Sequence, residues 1–516
     1  MDADIIIIGT GAGGGTLARA LAPSGLKLLL LERGDFLPRG KGNWDPEAVF
    51  HHHRYHTDEQ WLDGQGRPFH PVTGYHVGGN TKLYGAALLR RREADFGARR
   101  HHGGETSPWP IQYRDLAPYY DQAEQWYYAH GQRGEDPTEP PATGPFPYPA
   151  VRHEPVMAQL VARLGTLGLR PFHLPLAVHL DETRPEASPC VRCDTCDGFP
   201  CLVQAKGDAE MSAVRPALAH PNVTLRTGSR VTRLHTSADG RRVTGVELHG
   251  PNGTEQLTAR VVIVAAGAVN SAALLLASAS AAHPRGLANG SGLVGRNYMC
   301  HLNSVMLGLA PWRSNPTVFQ KTIGLNDFYD DSGDADFPFP LGHVQTLGKV
   351  TGAVLRAQRP RLPRRFTDWF GQHSVDWWLT TEDLPRPDNR VTLTDTGRIQ
   401  LHYTPNNRTA HQRLLRKWRG LLRRLGFPLI FSQTLGIDGV AHQVGTLRFG
   451  TDPAASVLDP YGRAHDLDNL FVVDGSFMPS IAAVNPSLTI MAQALRVAEH
   501  LGARFAQGDW HGPNGA

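Results

Sequence analysis

Residues Asp4–Gly34 read DIIIIGTGAGGGTLARALAPSGLKLLLLERG. Asp4–Ile8 is a β-branched apolar run of the kind that forms a buried parallel strand. Gly9, Gly11 and Gly14 then make G-x-G-x-x-G at a strand-to-helix turn. Gly9 permits the tight turn, Gly11 lets a pyrophosphate approach the backbone, and Gly14 lets the helix pack close to the strand. The helix expected over Gly13–Leu21 aims its N-terminal N–H groups at phosphates. Lys27–Leu31 returns as the neighbouring parallel strand. Glu32, followed by Arg33, lies 18 residues past Gly14, where an acid binds a ribose. In a chain with 55 glycines a lone G-x-G-x-x-G is as readily a loop. Strand, turn, helix, strand and acid in register point instead to a dinucleotide site. A carboxylate at Glu32 repels a 2′-phosphate and so disfavours NADP. The unit alone does not separate FAD from NAD.

At 516 residues the chain exceeds one simple core, and two domains are expected. Hydrophobic residues make up 41% and charged residues 19%, the balance of a globular protein. A net charge of +4 is small for this length and gives no case for nucleic acid. No apolar run reaches the roughly 20 residues that span a bilayer. The opening Met-Asp-Ala-Asp has no basic signal-peptide region, so the expected location is cytoplasmic. Four of the five cysteines, Cys190, Cys193, Cys196 and Cys201, fall within twelve residues. In that compartment such clustering suggests metal or redox chemistry more than structural disulfides.

Past the opening unit, His51–His53 sit in a polar region and read as surface. The small residues of Tyr75–Arg92 (YHVGGNTKLYGAALLRRR) allow close backbone approach to a flat ligand, or an ordinary glycine turn. A helix is expected over Pro118–His130 with Pro118 at its first position. A Pro-rich linker is expected over Pro137–Pro149, and an amphipathic helix over Val156–Gly168. Asn222–Val231 and Val243–Leu248 read as strands of a second βαβ-like region. Arg260–Ala266 (RVVIVAA) is a buried strand followed by the helix Asn270–Ala277. The stretch from Pro311 to Arg419 alternates at Arg390–Leu393 and Arg398–Tyr403, suggesting an antiparallel sheet with one wet face. Ala410–Leu425 is a basic amphipathic helix without an assigned partner. Asn469–Val473 and Leu488–Leu501 return to strand and helix. The nucleotide domain is therefore expected to be discontinuous.

Four motifs in order then become specific: GTGAGG with Glu32, VGGNTKLYGAA, VVIVAAGAVNSAALL, and HQVGT…NLFVVDGSFMPS…NPSLT. With them the chain resembles the glucose–methanol–choline (GMC) oxidoreductases over nearly its whole length. The resemblance implies an α/β fold: a Rossmann-like FAD-binding domain (1–104, 203–305 and 436–516) and a substrate domain on an antiparallel sheet (105–202 and 306–435). It implies an FAD-dependent alcohol oxidoreductase in which His442, in H-x-x-G-T, faces the flavin with Asn485 of N-P-S-L-T as its partner. A base near neutral pKa suits removal of an alcohol proton as hydride leaves for flavin N5. Asn485 can orient the hydroxyl without competing for the proton.

The pair His442 and Asn485 is most similar to bacterial glycoside 3-oxidases (the C-glycoside oxidase type) and pyranose 2-oxidases. The expected reaction is therefore oxidation of a secondary sugar or glycoside hydroxyl to a ketone, with oxygen or a quinone-like acceptor reoxidising the flavin. Pyranose 2-oxidases hold FAD covalently through a histidine of V-G-G-x-[ST]-x-H-W. Leu83 takes that place here, so non-covalent FAD is expected. The resemblance also implies that Gly9, Gly11, Gly14 and Glu32 hold the ADP half. It places Gly79, Asn80, Tyr84, Gly85 and Ala86 along the flavin and pyrophosphate, and Val231 by the adenine. Ala266 ends the small-residue strand. Asp474 and Gly475 are expected near the ribityl chain, and Pro486 and Thr489 at the pyrimidine end. Polar residues that could meet substrate hydroxyls are His173, His179, Gln320, Lys321, Asn326 and Asp327.

The run C-x2-C-x2-C-x4-C resembles ferredoxin spacing, with a last gap of four rather than three. An iron–sulfur relay to an acceptor, a zinc site, a disulfide and packed thiols all stay open, and no metal is assigned. A lyase that keeps FAD only as structure also stays open, whereas a nicotinamide dehydrogenase fits poorly, because the closing HQVGT…NPSLT motif has no role in it.

Overall fold

A computed structural model describes residues 1–510. The last six residues of the expected 436–516 piece lie outside them. The opening unit forms strand β1 (Ala3–Ile8), helix α1 (Ala12–Leu21) and strand β2 (Leu28–Leu31). Three distant segments complete the sheet: β3 (Val223–Arg226), β4 (Ala259–Val264) and β5 (Leu470–Val472). The spatial order is β3-β2-β1-β4-β5, and every pairing is parallel. Helices α2 (Ala268–Ala277) and α3 (Ser487–Ala506) follow β4 and β5.

Both faces of this sheet are covered, which explains why its strands read as unbroken apolar runs. Ile5, Ile7, Leu28, Leu30, Val261 and Ile263 pack with Leu17 of α1 and Val497 and Leu501 of α3. Ile6, Ile8, Leu29, Leu31, Val262 and Val264 share the opposite core with Ala272 and Leu275 of α2 and with Leu248.

A six-stranded antiparallel sheet forms the second layer system. Its order is Leu429–Thr434, Leu302–Leu309, Ser374–Thr381, His343–Thr346, Ile323–Leu325 and Phe172–His173. Alternation gives it two unlike faces. Met306, Ile323, Val344, Trp377 and Leu379 pack under the helices Pro155–Thr166 and Arg408–Arg424, with Trp377 and Trp418 4.7 Å apart. By register, Asn303, Val305, Gln345, Trp378 and Thr380 lie on the other face. Leu302–Leu309 begins before the boundary expected at residue 305.

Four local expectations change. Asn222–Val231 is not one strand: Val223–Arg226 joins the parallel sheet, and a turn at Gly228 (φ +62°) starts Arg230–Thr236. That strand pairs with Val243–Gly250, which pairs in turn with Gly253–Leu257, in an antiparallel meander and not a second βαβ unit. The aromatic helix is Tyr113–Trp126, with Pro118 inside it. Its start is set by Asp115, whose Oδ2 accepts from the Gln112 N–H at 2.8 Å. The alternating strands Arg390–Leu393 and Ile399–His402 pair with each other but join Trp61–Asp63 and Pro68–Phe69 in a separate four-stranded sheet. Among the described residues no helix is long and apolar enough to cross a membrane.

Candidate active site

The strand-to-helix turn holds its glycines for different reasons. Gly9 has φ +100°, and a Cβ there would lie 2.4 Å from Ala265 O. On Gly14 it would lie 2.1 Å from Gly9 O, and on Gly13 1.9 Å from Val473 O. These three are required by packing. Gly11 differs: a Cβ there meets nothing nearer than Gly79 Cα at 3.9 Å. Gly267, opening α2 with φ +88°, has nothing within 4 Å. The Gly11 and Gly79 loops touch here, since a Cβ on Gly79 (φ +55°) would lie 3.0 Å from Gly11 Cα. Both therefore present bare backbone beside the α1 N-terminus, the kind of surface a pyrophosphate can approach.

Glu32 is buried beside this turn. Its Oε2 accepts from Thr10 N (3.1 Å) and Thr10 Oγ1 (2.5 Å), and its Oε1 from Gly34 N (3.1 Å). Burial raises its pKa. Thr10 Oγ1 also accepts from Gly78 N at 3.1 Å, tying the two glycine loops together. Arg33 lies over the Tyr75 ring at 3.8 Å and pairs with Glu59 at 3.0 Å. Ala266, half-buried at the end of β4, stands next to Gly9.

Asp474 braces the switch between β4 and β5. Its Oδ2 accepts from Gly267 N (2.9 Å) and the Ser271 hydroxyl, and its Oδ1 from Ser476 N (2.9 Å) and Ser476 Oγ (2.5 Å). Burial raises its pKa. Gly475 packs against the Gln443 carbonyl, next to His442. Other expected residues turn elsewhere. The exposed Asn80 ties back to Gly74 N (3.0 Å) and Val72 O (3.4 Å). Thr489 Oγ1 meets Tyr120 OH at 2.8 Å. The Tyr84 hydroxyl donates to Gly207 O, and Ala86 (φ +59°) accepts from Ala177 N. Gly85 lies against the buried Lys321–Asp197 ion pair. Val231 is half-buried in the meander, and Pro486 is buried at the start of α3.

His442 contacts a residue the motifs did not single out, and Asn485 stands half-buried just before α3. His442 Nδ1 is 2.9 Å from Nδ1 of His301, and His301 Nε2 is 2.8 Å from Ala482 O. Ala482 lies three residues before Asn485 and has φ +58°, with its N–H donating to Glu382 Oε1 at 2.6 Å. A carbonyl only accepts, so His301 carries its proton on Nε2. Burial, reinforced by His442, pushes the His301 pKa well down, so the ring is neutral and its Nδ1 is an acceptor. His442 Nδ1–H therefore donates to it, and the network assigns His442 Nε2 as an unprotonated lone pair. Burial and then the Lys321 ammonium lower the His442 pKa to about 4. In the sequence, only the isolated Cys300 marks this segment, because one histidine among 25 carries no pattern.

The polar residues noted for substrate are largely spoken for. Gln320 donates to Asp376 and Leu347 O. Asn326 bonds His343 and Asp136. Asp327 accepts from Arg170 N, His173 pairs with Glu135 at 2.8 Å, and His179 stacks on Tyr128 at 4.5 Å. In the cysteine run, burial pushes Cys190 up to about 12 and Cys196 up to about 11. Cys193 Sγ accepts from Thr195 Oγ1 and Cys201 Sγ from Ala205 N, both at 3.3 Å. Among the described residues no three His, Cys, Asp or Glu side chains converge as metal ligands would.

A parallel dinucleotide fold joined to an antiparallel sheet, with a neutral histidine pair beside Gly475, defines the class as a nucleotide-dependent oxidoreductase. The chain belongs to the GMC oxidoreductase family, which it matches over residues 3–303 and 385–494. Its cofactor is FAD, and it acts on CH–OH groups. It is 34% identical to paromamine 6′-oxidase of Streptomyces fradiae, over 96% of this chain and 90% of that protein. It is likewise 34% identical to 6‴-hydroxyparomomycin C oxidase of Streptomyces lividus, over 97% and 92%. The fold matches pyridoxine 4-oxidase from Mesorbium loti with a TM-score of 0.68 at 21% identity, covering 96% of this chain and 99% of that one.

Proposed function

We propose that the protein oxidises a hydroxyl of a sugar or aminosugar glycoside, with His442 as the base and Asn485 as the group that orients the reacting oxygen. The observation that carries this reading is the tautomer of His442. With Nδ1–H fixed on His301, Nε2 is left to take the hydroxyl proton. When bound, FAD supplies the acceptor for the hydride that leaves the carbinol carbon. The acceptor Nδ1 of His301 also stabilises the charge His442 gains, because a hydrogen bond to the protonated form favours it. Asn485 offers both a donor and an acceptor. Leu83 in place of a linking histidine supports non-covalent FAD. Gly11, Gly79 and the first N–H groups of α1 would hold the pyrophosphate. The sheet split supports the discontinuous domain arrangement expected from the sequence.

The sugar class is supported by the names of the two Streptomyces relatives and by the polar face carrying Asn303, Gln345 and Thr380 beside Trp378. A ring hydroxyl would give a ketone. The 6′-position in the name of paromamine 6′-oxidase favours, as a second reading, a hydroxyl on an aminosugar at that position. Anaerobic titration of the purified protein with glycosides, aminoglycosides and simple alcohols tests the class through flavin bleaching. Nuclear magnetic resonance of the product places the carbonyl. Bleaching by none of the sugar compounds would refute the proposal.

A further inference from the structure

We propose that the surface made by residues 359–366 and the edge strand Leu429–Thr434 docks the protein on an anionic lipid bilayer. The stretch RPRLPRRF at 359–366 exposes Arg359, Arg361, Arg364 and Arg365. Between them Leu362 is 38% and Phe366 45% exposed. Arg359, Arg361 and Arg365 have no ion-pair partner among the described residues, and Asp368 is already shared by Arg356 and Arg364.

The patch continues onto the sheet. Phe366 packs 6.0 Å from Phe370, and Phe370 5.3 Å from Phe431, between ring centroids. Arg359 Nη2 donates to Gln433 Oε1 at 3.4 Å. Leu429 and Phe431 are 45% and 49% exposed. The strand pairs only with Leu302–Leu309, so its outer edge is free among the described residues. Large apolar groups exposed together mark an interaction surface.

The chemistry of the patch selects the occupant. Unpaired arginines interleaved with exposed Leu and Phe match headgroup phosphates with an acyl boundary beneath them. A second copy of the chain fits poorly, since a two-fold contact would set one arginine row against the other with no free carboxylate between. Polynucleotide phosphates would pair with the arginines but leave the apolar side chains without a partner. The strand also runs directly into the active-site wall: Leu435 N donates to Asn303 O at 2.9 Å, and His442 follows seven residues on. If the proposed function holds, a lipid-dissolved quinone-like acceptor would approach from this side, but docking itself does not depend on turnover.

Co-sedimentation of the FAD-loaded full chain with sucrose-filled vesicles tests the proposal. Vesicles of phosphatidylcholine containing about one third phosphatidylglycerol should bind it at least tenfold more tightly than phosphatidylcholine alone, and high salt should release it. The exposed pair Arg361→Glu/Arg365→Glu, and separately Phe366→Ser/Phe431→Ser, should each weaken binding roughly tenfold or more with an unchanged thermal midpoint. The proposal is overturned by absent binding, by equal binding to both vesicles, or by variants that bind like the parent. It is also overturned by a dimer in light scattering that Phe431→Ser dissociates, or by duplex DNA competing the protein off the vesicles.

Discussion

His442 and His301 face each other through their Nδ1 atoms at 2.9 Å, with the two rings at 87°. Two neutral imidazoles in this contact must differ in tautomer, and the Ala482 carbonyl decides which. His442→Ala should slow anaerobic flavin reduction by about 10²- to 10⁴-fold while FAD stays bound through gel filtration. His301→Ala should slow it less and also change the pH profile. With the pair intact, His442 protonates only near pH 4, so the reduction rate should fall only as pH drops towards that value. Removing His301 takes away an acceptor but admits water. Because burial is the largest cause of the lowered His442 pKa, its relief outweighs the lost acceptor and moves the acid limb up towards the ordinary histidine value of about 6.5. Stopped-flow reduction across pH 4 to 8 reads both effects. An unmoved limb in His301→Ala would refute the positioning role.

The two glycines on either side of the α1 N-terminus should separate folding from cofactor binding. Gly13→Ala places a Cβ 1.9 Å from Val473 O, with backbone on both sides and no room to relax. Little folded protein is expected. Gly11→Ala meets only Gly79 Cα at 3.9 Å, and its φ of −69° suits alanine. The apoprotein should melt within a few degrees of the parent, yet bind FAD about tenfold or more weakly. Calorimetry and flavin titration on the same preparations check this.

How the motifs divide between packing and chemistry follows from these residues. Asp4–Gly34 declared its strand, turn and helix because each local preference agreed with the sheet that buries both faces. Asn222–Val231 misled because a turn at Gly228 splits one apolar run between two sheets, and periodicity carries no record of which neighbour a strand will choose. Pro118 misled because the Asp115 cap at Gln112 outweighs a proline's preference for the first turn. The flanking motifs pointed to His442 and Asn485, whereas nothing in the sequence pointed to His301, whose contact with His442 spans 141 residues. Asn80 and Thr489 kept their motif positions, but their side chains bond to protein groups, which only the folded geometry reveals.

Acid should destabilise the fold in a defined window. His411 bridges Ser304 Oγ (2.7 Å) and Thr381 Oγ1 (3.0 Å), and burial lowers its pKa to about 4. His343 is likewise lowered to about 4. Both folded values lie below the unfolded value of 6.5. Their stabilisation is therefore complete above pH 6.5 and is lost as pH falls from 6.5 towards 4, because the unfolded chain takes up the protons first. Each contributes up to about 3 kcal/mol over that span. Denaturant midpoints at pH 7 and pH 5 should differ clearly for the parent. In His411→Gln the difference should shrink, at the expense of stability at pH 7.

Lys206 should prove to be the anchor of the cysteine segment. Its Nζ donates to the carbonyls of Tyr84, Cys196 and Phe199, each at 2.8 Å, so a buried ammonium spends its three N–H groups on three separate loop carbonyls. Those carbonyls belong to the glycine loop carrying Gly85 and to the cysteine run, which are also joined by Gly198 N donating to Leu83 O at 3.1 Å and through Asp197 and Lys321 beside Gly85. Lys206→Met keeps much of the volume but strips all three partners. With each buried carbonyl left unpaired at about 1 kcal/mol or more, the variant should lose about 3 kcal/mol in chemical denaturation. Because Tyr84 and Gly85 would be released together, FAD should also dissociate faster from this variant than from the parent at equal protein concentration. A variant that unfolds at the parent's denaturant midpoint would show that the Asp197–Lys321 pair and the Gly198–Leu83 hydrogen bond fix the segment without Lys206.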